Sequence, residues 1–221
     1  MSSRPCPACG ASVEFRSAAP YAVCSYCQAL LVRRDATLES IGRVAEVPDD
    51  FSPLQLNVSG TFDGRRFTLI GRLRKGWDQG SWNEWCALFD DQRLGWLAEA
   101  QGDLVMTFER PSDVLTPRLS AEALSKTAPG EIFTLEQRRF SVSDVKQVVC
   151  LGAQGELSSC PAMGTRMTSI DLRGTGVEFG TIEAGEHDVS VFVGRFVDFA
   201  ECRFSGLRQL DGWAPTGAGA R

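Results

Sequence analysis

Four cysteines near the N-terminus have the clearest chemical signature in this chain. Cys6 and Cys9 form one CxxC pair, and Cys24 and Cys27 form a second pair after a spacer of fourteen residues. Two such pairs make two knuckles whose thiolates can close a tetrahedron around Zn²⁺. Gly10 suits the left-handed backbone that the turn after the first pair requires. The pattern predicts a four-cysteine zinc site; the alternatives are iron in a rubredoxin-like site or a redox dithiol.

The predicted metal site is structural rather than catalytic, because four thiolates leave no open coordination position. Residues 4–34 resemble the zinc-ribbon family. A module of this size has little core, so metal binding would supply its folding free energy. Docking to a protein or to nucleic acid is a second use, which the basic side chains of the segment would serve. These side chains are Arg4, Arg16, Arg33 and Arg34.

A second candidate site comes from a stretch that holds four of the five tryptophans. Apolar residues alternate with period 2 on both sides of residues 90–93, which predicts a β-hairpin with a four-residue loop. In that register Trp85 lies opposite Ala98, and one face of the hairpin is wholly apolar. The other face then places Glu84 directly opposite Glu99.

Two opposed glutamates repel each other, so something must neutralise them. An ion pair with Arg72 or Arg74 on the neighbouring strand would do so, and water would do so at a splayed strand end. The functional alternative is a site for an organic cation such as a polyamine, with tryptophan walls. A glycosidase-like acid/base pair is a further alternative, although nothing else in the chain supplies its framework. The candidate ligand- or partner-binding residues are Trp77, Trp82, Glu84, Glu99 and Arg72.

The remaining cysteines and the single histidine set limits on catalysis. Cys86, Cys150, Cys160 and Cys202 have no metal-ligand spacing, and we expect buried thiols that act as small hydrophobic side chains. With His187 as the one histidine, histidine triads and multi-histidine metal sites are excluded. No catalytic residue is predicted, and whether the chain has any enzymatic activity is left open.

The elements that must position these residues are mainly β-strands. Leu38, Ile41 and Val44 recur at helical spacing and predict one short helix after the ribbon. Alternating strands follow, interrupted by one helical turn at residues 120–125. The fold class is therefore mainly β, with a small N-terminal zinc ribbon and a domain that resembles a β-barrel or sandwich of two halves.

The second half of the chain echoes the first, which suggests an internal duplication. Residues 130–145 resemble 60–73, and residues 169–183 parallel the hairpin so that Glu183 takes the place of Glu99. Residues 155–157 take the place of 83–85. The predicted parts are a zinc ribbon at 1–34, a linker with a short helix at 35–53, a first β half at 54–110, a spacer at 111–129, a second β half at 130–205 and a mobile tail at 206–221.

Charge and hydropathy narrow the function classes. The net charge of -5 and the pI near 5.0 weigh against a dedicated nucleic-acid binder. No apolar run approaches the ~20 residues that span a bilayer, and no hydrophobic segment precedes Cys6, so we expect neither a membrane span nor a secretory signal. A cytoplasmic protein is expected, in which eight cysteines are thiols and metal ligands rather than disulfides.

Two motifs carry a family resemblance. The GxWxEW motif at residues 80–85 and the FDDxxxxWLxE motif at 89–99 resemble the bacterial domain-of-unknown-function family 4178, over roughly residues 50–200. That family usually has a glycine after the second aspartate of the FDD sequence, where this chain has Gln92. Some members of the family carry an N-terminal zinc ribbon. The resemblance implies no established activity. It implies a bacterial setting, often beside polyamine-synthase-like and small membrane proteins.

Together these features predict a non-enzymatic adaptor that carries structural zinc. Its β domain would bind a protein partner or small ligand through the loop between Trp77 and Trp82 and the face that carries Glu84 and Glu99. The system would be related to membranes or polyamines, with a membrane protein among the candidate partners. A small-cation binding module and a nucleic-acid binder that uses the ribbon are the alternatives.

Overall fold

The computed structural model describes residues 2–34, 37–47, 50–160, 163–186 and 188–211. As predicted, the fold is mainly β with a four-cysteine cluster near the N-terminus. The strands in these ranges are β1 Ser2–Pro5, β2 Ser12–Phe15, β3 Tyr21–Val23, β4 Ala29–Arg34, β5 Thr37–Arg43, β6 Ser59–Phe62, β7 Arg65–Trp77, β8 Gly80–Phe89, β9 Leu94–Ala100, β10 Asp103–Arg110, β11 Leu115–Thr116, β12 Ile132–Leu135, β13 Arg138–Leu157, β14 Arg166–Arg173, β15 Glu178–Ala184 and β16 Val189–Val197. The helical turn expected in the spacer is α1, Ala121–Leu124, capped by the side chain of Ser120.

Eight of these strands form a closed ring of antiparallel pairs. The first half supplies β7 to β10 and the second half supplies β13 to β16. The halves meet at two seams, where β10 pairs with β16 and β7 pairs with β13. Each half also begins with a short strand, β6 or β12, that pairs with the long strand after it. Both halves therefore have the same strand order, and a common origin of the two remains a prediction.

Glycine allows the close approach of the backbones at both seams. At the seam between β7 and β13, a Cβ atom on Gly71 would lie 1.9 Å from the carbonyl oxygen of Glu156. At the seam between β10 and β16, a Cβ atom on Gly194 would lie 1.9 Å from the carbonyl oxygen of Met106. Any larger residue at either position would push the strands apart, so the closure of the ring depends on these two glycines.

Alternate residues of each strand face the inside and the outside of the ring. The outer face of the first half is covered by an apolar cluster that includes Leu54 and Cys202 from the flanking segments. The outer face of the second half is covered by a cluster that includes Leu124 of α1. A third cluster lies on the inside and includes Cys86 and Trp96.

The cysteine-rich ribbon closes one end of the ring. Its strand β3 pairs with the C-terminal end of β13, with Ala22 opposite Glu156. Its apolar side chains Val23 and Leu30, together with Val44 of the following segment, join the inner cluster of the ring. The ribbon is thus packed onto the ring rather than tethered by a free linker.

One local prediction differs from the structure, and the predicted mobile tail stays a prediction. The short helix expected after the ribbon is strand β5, which pairs with β4 along its length and places Leu38 opposite Arg33. The helical spacing was too short to outweigh this tertiary pairing, and Gly42 disfavours a helix. At the start of the predicted mobile tail, the Arg208 N–H donates to the carbonyl oxygen of Pro53 at 2.8 Å. The rest of the predicted tail, from 212 with Trp213, lies outside the described residues, as does His187.

In the described ranges, none of the helices has the length and apolar character needed to cross a bilayer.

Candidate functional site

The tryptophan-rich hairpin has a register that differs by one residue from the predicted one. Leu88 lies opposite Leu94, and Cys86 lies opposite Trp96. Asn83, rather than Glu84, lies opposite Glu99. The predicted pairing of the two glutamates is therefore wrong, because a shift of one residue moves a side chain to the other face of a strand.

The loop of the hairpin explains the shift. The Phe89 N–H donates to the carbonyl oxygen of Arg93 at 2.9 Å, so the loop contains three residues rather than four. Gln92, the last of the three, has a φ of 68°. A type I turn followed by a left-handed residue is a common three-residue hairpin connection. It places Glu84 on the inner face of the ring and Glu99 on the outer face.

Glu99 belongs to a closed hydrogen-bond network on the outer face. Its carboxylate accepts hydrogen bonds from the Ser52 hydroxyl at 2.7 Å and from the Trp85 indole N–H at 3.1 Å. Asn83 Nδ2 donates to the same carboxylate at 3.1 Å. Trp85 and Asn83 are both buried. The polar atoms of Glu99 are thus used within the fold, which favours a structural role for this residue.

Arg72 belongs to the same network and is also buried. Its guanidinium donates to Asp50 at 2.6 Å and to Asn83 at 2.9 Å, and it lies 4.9 Å from the ring centre of Trp85. Arg74 donates to the same carboxylate oxygen of Asp50. Burial alone would raise the pKa of Asp50. The hydrogen bond from Asn83 and the charges of Arg72 and Arg74 lower this pKa by a larger amount, so the net shift is downward. Arg72 is therefore neutralised by Asp50 and does not reach the inside of the ring.

The inside of the ring encloses a cavity of about 240 Å³. We call it the ring cavity, and its lining includes Trp77, Trp82, Glu84, Trp96, Asp171 and Glu183. It opens where the β7–β8 and β9–β10 turns meet the start of β15, and the inner apolar cluster with the ribbon closes the opposite end. Three of the five predicted binding residues, Trp77, Trp82 and Glu84, therefore line one cavity.

A buried lysine lies beside the ring cavity and joins the two halves. Lys75 is 2% exposed, and its ammonium group contacts Glu84 at 2.8 Å and also Glu183 of the second half. Burial lowers the pKa of Lys75, but the two carboxylates raise it by more. Burial raises the pKa of Glu183, and Lys75 opposes this shift. Lys75 therefore stays protonated at neutral pH and cannot act as a nucleophile or a base.

Two predicted echoes between the halves are wrong in detail. The hairpins β8–β9 and β14–β15 do correspond in strand order, but Glu183 faces the ring cavity while Glu99 faces outward. Residues 155–157 lie at the end of β13, the counterpart of β7, whereas residues 83–85 lie on β8. A few identical residues in two segments of alternating polarity do not determine on which face of the strand each side chain lies.

Aromatic rings line the mouth of the ring cavity. The rings of Trp77 and Trp82 lie 5.5 Å apart, and the Trp82 indole N–H donates to Glu84 at 3.0 Å. The Lys146 ammonium lies 5.6 Å from the ring centre of Trp77. On the other side of the mouth, the Arg173 guanidinium lies 3.8 Å from the ring centre of Phe196. The tryptophan loop is thus part of the cavity wall rather than a free surface loop.

Two polar groups of the ring cavity are candidates for contact with a ligand. Trp96 is 4% exposed, and its indole nitrogen has no hydrogen-bond acceptor among the described residues. Asp171 is half-buried and makes no salt bridge within the described ranges, although the Thr181 hydroxyl and the charges of Lys146 and Arg173 act on its carboxylate. Burial raises the pKa of Asp171, and the charge of Lys146 opposes this shift only in part. A buried N–H group without an acceptor is costly, which makes this part of the cavity a candidate ligand site.

The four cysteines predicted as metal ligands come together. Their sulfur atoms all lie within 4.8 Å of one another, with Cys6 and Cys27 at 3.7 Å and Cys9 and Cys24 at 3.8 Å. A tetrahedral site with Zn–S bonds of about 2.3 Å has sulfur–sulfur distances of about 3.8 Å. Burial alone would raise the pKa of Cys24, but backbone N–H groups of the knuckle lower it to about 7. The cluster can hold a metal ion.

The backbone of the two knuckles is nearly the same. The Gly10 N–H donates to the carbonyl oxygen of Cys6 at 2.8 Å, and the Gln28 N–H donates to that of Cys24 at 2.9 Å. Gly10 has the predicted left-handed backbone with a φ of 79°, and Gln28 has a φ of 60°. Both turns therefore direct two sulfur atoms toward one point.

The ribbon arginines Arg16, Arg33 and Arg34 make contacts within the chain. The Arg16 side chain donates to Asn57 at 2.6 Å, and Arg33 lies 4.8 Å from the ring centre of Phe15. Arg34 pairs with Glu39 at 3.1 Å on the exposed surface. Docking of the ribbon to a protein or to nucleic acid stays a prediction.

The cysteines outside the cluster are mostly buried, as expected. Cys86, Cys150 and Cys202 are buried and Cys160 is half-buried. Burial raises the pKa of Cys86 to about 12 and that of Cys150 to about 11. Thiols with such pKa values are poor nucleophiles at neutral pH.

Comparison with known proteins gives a family for the ring. The model of a domain of unknown function, DUF4178, matches residues 55–199. This chain belongs to the DUF4178 family. No curated protein and no solved structure gives a significant match.

The match to DUF4178 covers every strand of the ring and begins after the ribbon. The ring cavity, with Trp77, Trp82, Glu84 and Asp171, is therefore a feature of the DUF4178 domain itself. The ribbon lies outside the matched residues, and its side chains Val23 and Leu30 pack in the same apolar cluster as Trp96 of the cavity lining.

In this DUF4178 protein, sequence reasoning missed three residues that line the ring cavity, Trp96, Asp171 and Glu183, and it missed Lys75 beside the cavity. One signal was present for Lys75, which shares a strand face with Leu73 and Trp77. A lysine on an apolar face needs a buried carboxylate partner. No comparable local signal marks Asp171, because its place depends on the closure of the ring.

Proposed function

We propose that this protein binds a small organic molecule in the ring cavity and that its ribbon holds a structural zinc ion. The buried indole N–H of Trp96, which has no acceptor in the described part of the chain, is the main observation in support. A cavity of about 240 Å³ exceeds the ~150 Å³ that is enough to bind benzene. Its mixture of aromatic walls and a few polar groups is typical of small-molecule sites.

The first test of ligand binding uses a neutral fluorescent probe, N-phenyl-1-naphthylamine, whose emission rises in an apolar site. We expect saturable binding to the wild-type protein. Ala98 lines the ring cavity, so Ala98→Phe should fill it and remove binding. Ala45→Phe, at an exposed position of the linker, is the matched control and should bind as the wild type does. An Ala98→Phe variant that binds the probe as tightly as the wild type does would refute the proposal, and so would a wild-type protein that binds neither the probe nor any of the small aromatic compounds named below.

Zinc is the metal that the donor set favours, because four thiolates at tetrahedral distances suit Zn²⁺. Elemental analysis of the purified protein should give one zinc per chain and no iron. Cys9→Ser should lose the metal, while Cys160→Ser, outside the cluster, should keep it. A stoichiometric iron content would support the rubredoxin-like alternative instead.

The predicted adaptor role would use the same surface in another way. Trp77 and Trp82 lie at the mouth of the ring cavity, so a protein partner that docks there would cover the opening. A stable complex that is lost in Trp82→Ala but unaffected by filling the cavity would favour the adaptor over the small-molecule binder. Cytoplasmic location and a bacterial setting remain parts of the proposal.

A further inference from the structure

The charges of the ring cavity do not balance. Glu84 and Glu183 share one ammonium group, that of Lys75, so this trio has two carboxyl groups for one cation. Asp171 adds another carboxyl group; the Lys146 ammonium pairs with Asp144, and the Arg173 guanidinium, which also lines the cavity, makes no salt bridge with Asp171 in the described ranges. An added cation would therefore supply the salt bridge that Asp171 lacks among the described residues, in partly buried surroundings that strengthen electrostatic attraction.

The aromatic side chains at the mouth already bind cations of the protein itself. Lys146 lies over Trp77 and Arg173 lies over Phe196, both at cation–π distances. The ring of Trp82 also lines the ring cavity, and its indole N–H is directed to Glu84. The wall of the mouth thus suits an ammonium group that passes inward to Asp171.

Trp96 adds a second requirement. Its indole nitrogen is a donor only, so the ligand must supply an acceptor. Carboxylate acceptors are disfavoured because Glu84, Asp171 and Glu183 line the same cavity and would repel an anion. A neutral oxygen, such as a hydroxyl, ether or carbonyl, satisfies the N–H without this repulsion.

We propose that the ring cavity is selective for organic monoamines: an apolar body carrying one ammonium group, which pairs with Asp171, and one neutral oxygen, which accepts from Trp96. This inference rests on the proposed small-molecule function and specifies the class of ligand. It differs from the paired-glutamate site expected from the sequence, because the anchoring carboxylate is Asp171 and Glu99 takes no part.

The test is a calorimetric titration with four small compounds of similar shape. Phenethylamine, 2-phenylethanol and 3-phenylpropanoate carry an ammonium, a neutral and a carboxylate group on the same ring, and tyramine adds a phenol oxygen to the amine. We expect phenethylamine to bind about tenfold or more tightly than 2-phenylethanol, which is the size of one charge-assisted contact. The carboxylate should bind most weakly, and tyramine should bind more tightly than phenethylamine.

Two variants assign these preferences to residues. Asp171→Asn should abolish the preference for the amine over the alcohol, while Asp90→Asn, in the exposed hairpin loop, should keep it. Trp96→Phe should remove the advantage of tyramine over phenethylamine. The series on the wild-type protein tests the inference even if a variant fails to fold.

The outcomes separate this inference from the proposed function. If N-phenyl-1-naphthylamine binds but the alcohol or the carboxylate binds as well as the amine, the selectivity for monoamines is refuted and the cavity remains a ligand site. The same conclusion follows if a folded Asp171→Asn variant keeps the amine preference. If neither the probe nor any of the four compounds binds, both proposals fail.

Discussion

Replacing Lys75 by methionine should destabilise the fold strongly. The substitution leaves Glu84 and Glu183 in a buried site without the cation that both contact. Removal of one partner from a buried ion pair costs about 3–5 kcal/mol, because the remaining charge is buried and uncompensated. For a chain of this size, each kcal/mol lowers the melting temperature by about 2–4 °C, so the expected decrease is about 6–20 °C.

The destabilisation of Lys75→Met should depend on pH in a defined direction. Without the lysine, burial raises the pKa of the Glu183 carboxyl group in the folded variant above its unfolded value of about 4.3. A group whose pKa is raised by folding contributes its stability below the unfolded pKa and loses it as the pH rises. The loss should therefore be largest at pH 7 and above, and smaller near pH 4.

Denaturant unfolding at pH 7 and at pH 4, followed by circular dichroism, measures both effects. Glu183→Gln is the matched control, because it leaves Lys75 paired one-to-one with Glu84; we expect a change of no more than about 1 kcal/mol. Adding Glu84→Gln to the Lys75→Met variant should restore part of the lost stability. A loss below about 1 kcal/mol for Lys75→Met at pH 7, or a loss that is independent of pH, would refute the argument.

Two further predictions concern the hairpin loop and the attachment of the ribbon. Gln92→Gly should raise the free energy of unfolding by about 1 kcal/mol, because Gln92 has a φ of 68° that glycine adopts freely; Gln92→Ala should give no gain in the same unfolding assay. The Glu156 carboxylate accepts from the backbone N–H groups of Arg16 and Ser17 and from the Ser17 hydroxyl, so Glu156→Gln should cost about 1.5–3 kcal/mol. It should also speed amide hydrogen exchange at Arg16 and Ser17, and Glu14→Gln, at an exposed position of the ribbon, should leave this exchange unchanged.

The sequence was sufficient to predict features that depend on local spacing. The cysteine pairs specify the metal cluster because a knuckle involves only five or so adjacent residues. Alternation identified the strands around Trp85 and Trp96. It did not give the faces correctly, since the register depends on whether Gln92 takes a left-handed backbone. The left-handed backbone at Gln92 costs about 1 kcal/mol, and the order of apolar and polar residues does not show whether it forms.

The ring cavity could not be predicted, because its residues meet only through pairing between distant strands. Lys75 and Glu183 are brought together by the seam at Gly71 and by the position of β15 in the ring. The sequence pattern of the hairpin alone pairs Glu84 with Glu99. The partner that burial requires is instead a lysine on the next strand and a glutamate from the other half.

The position of the ribbon links the metal to the ring cavity. Val23 and Leu30 of the ribbon, and Val44 after it, pack in the same apolar cluster as Trp96, whose indole N–H has no acceptor among the described residues. The ribbon has only a small core of its own, so the zinc ion proposed for it would supply part of its folding free energy. Loss of that ion would loosen the packing behind Trp96, and a ligand bound to Trp96 would in turn favour the folded, metal-bound ribbon. By linkage, each should therefore raise the affinity for the other, although four thiolates keep the metal itself from contacting any ligand.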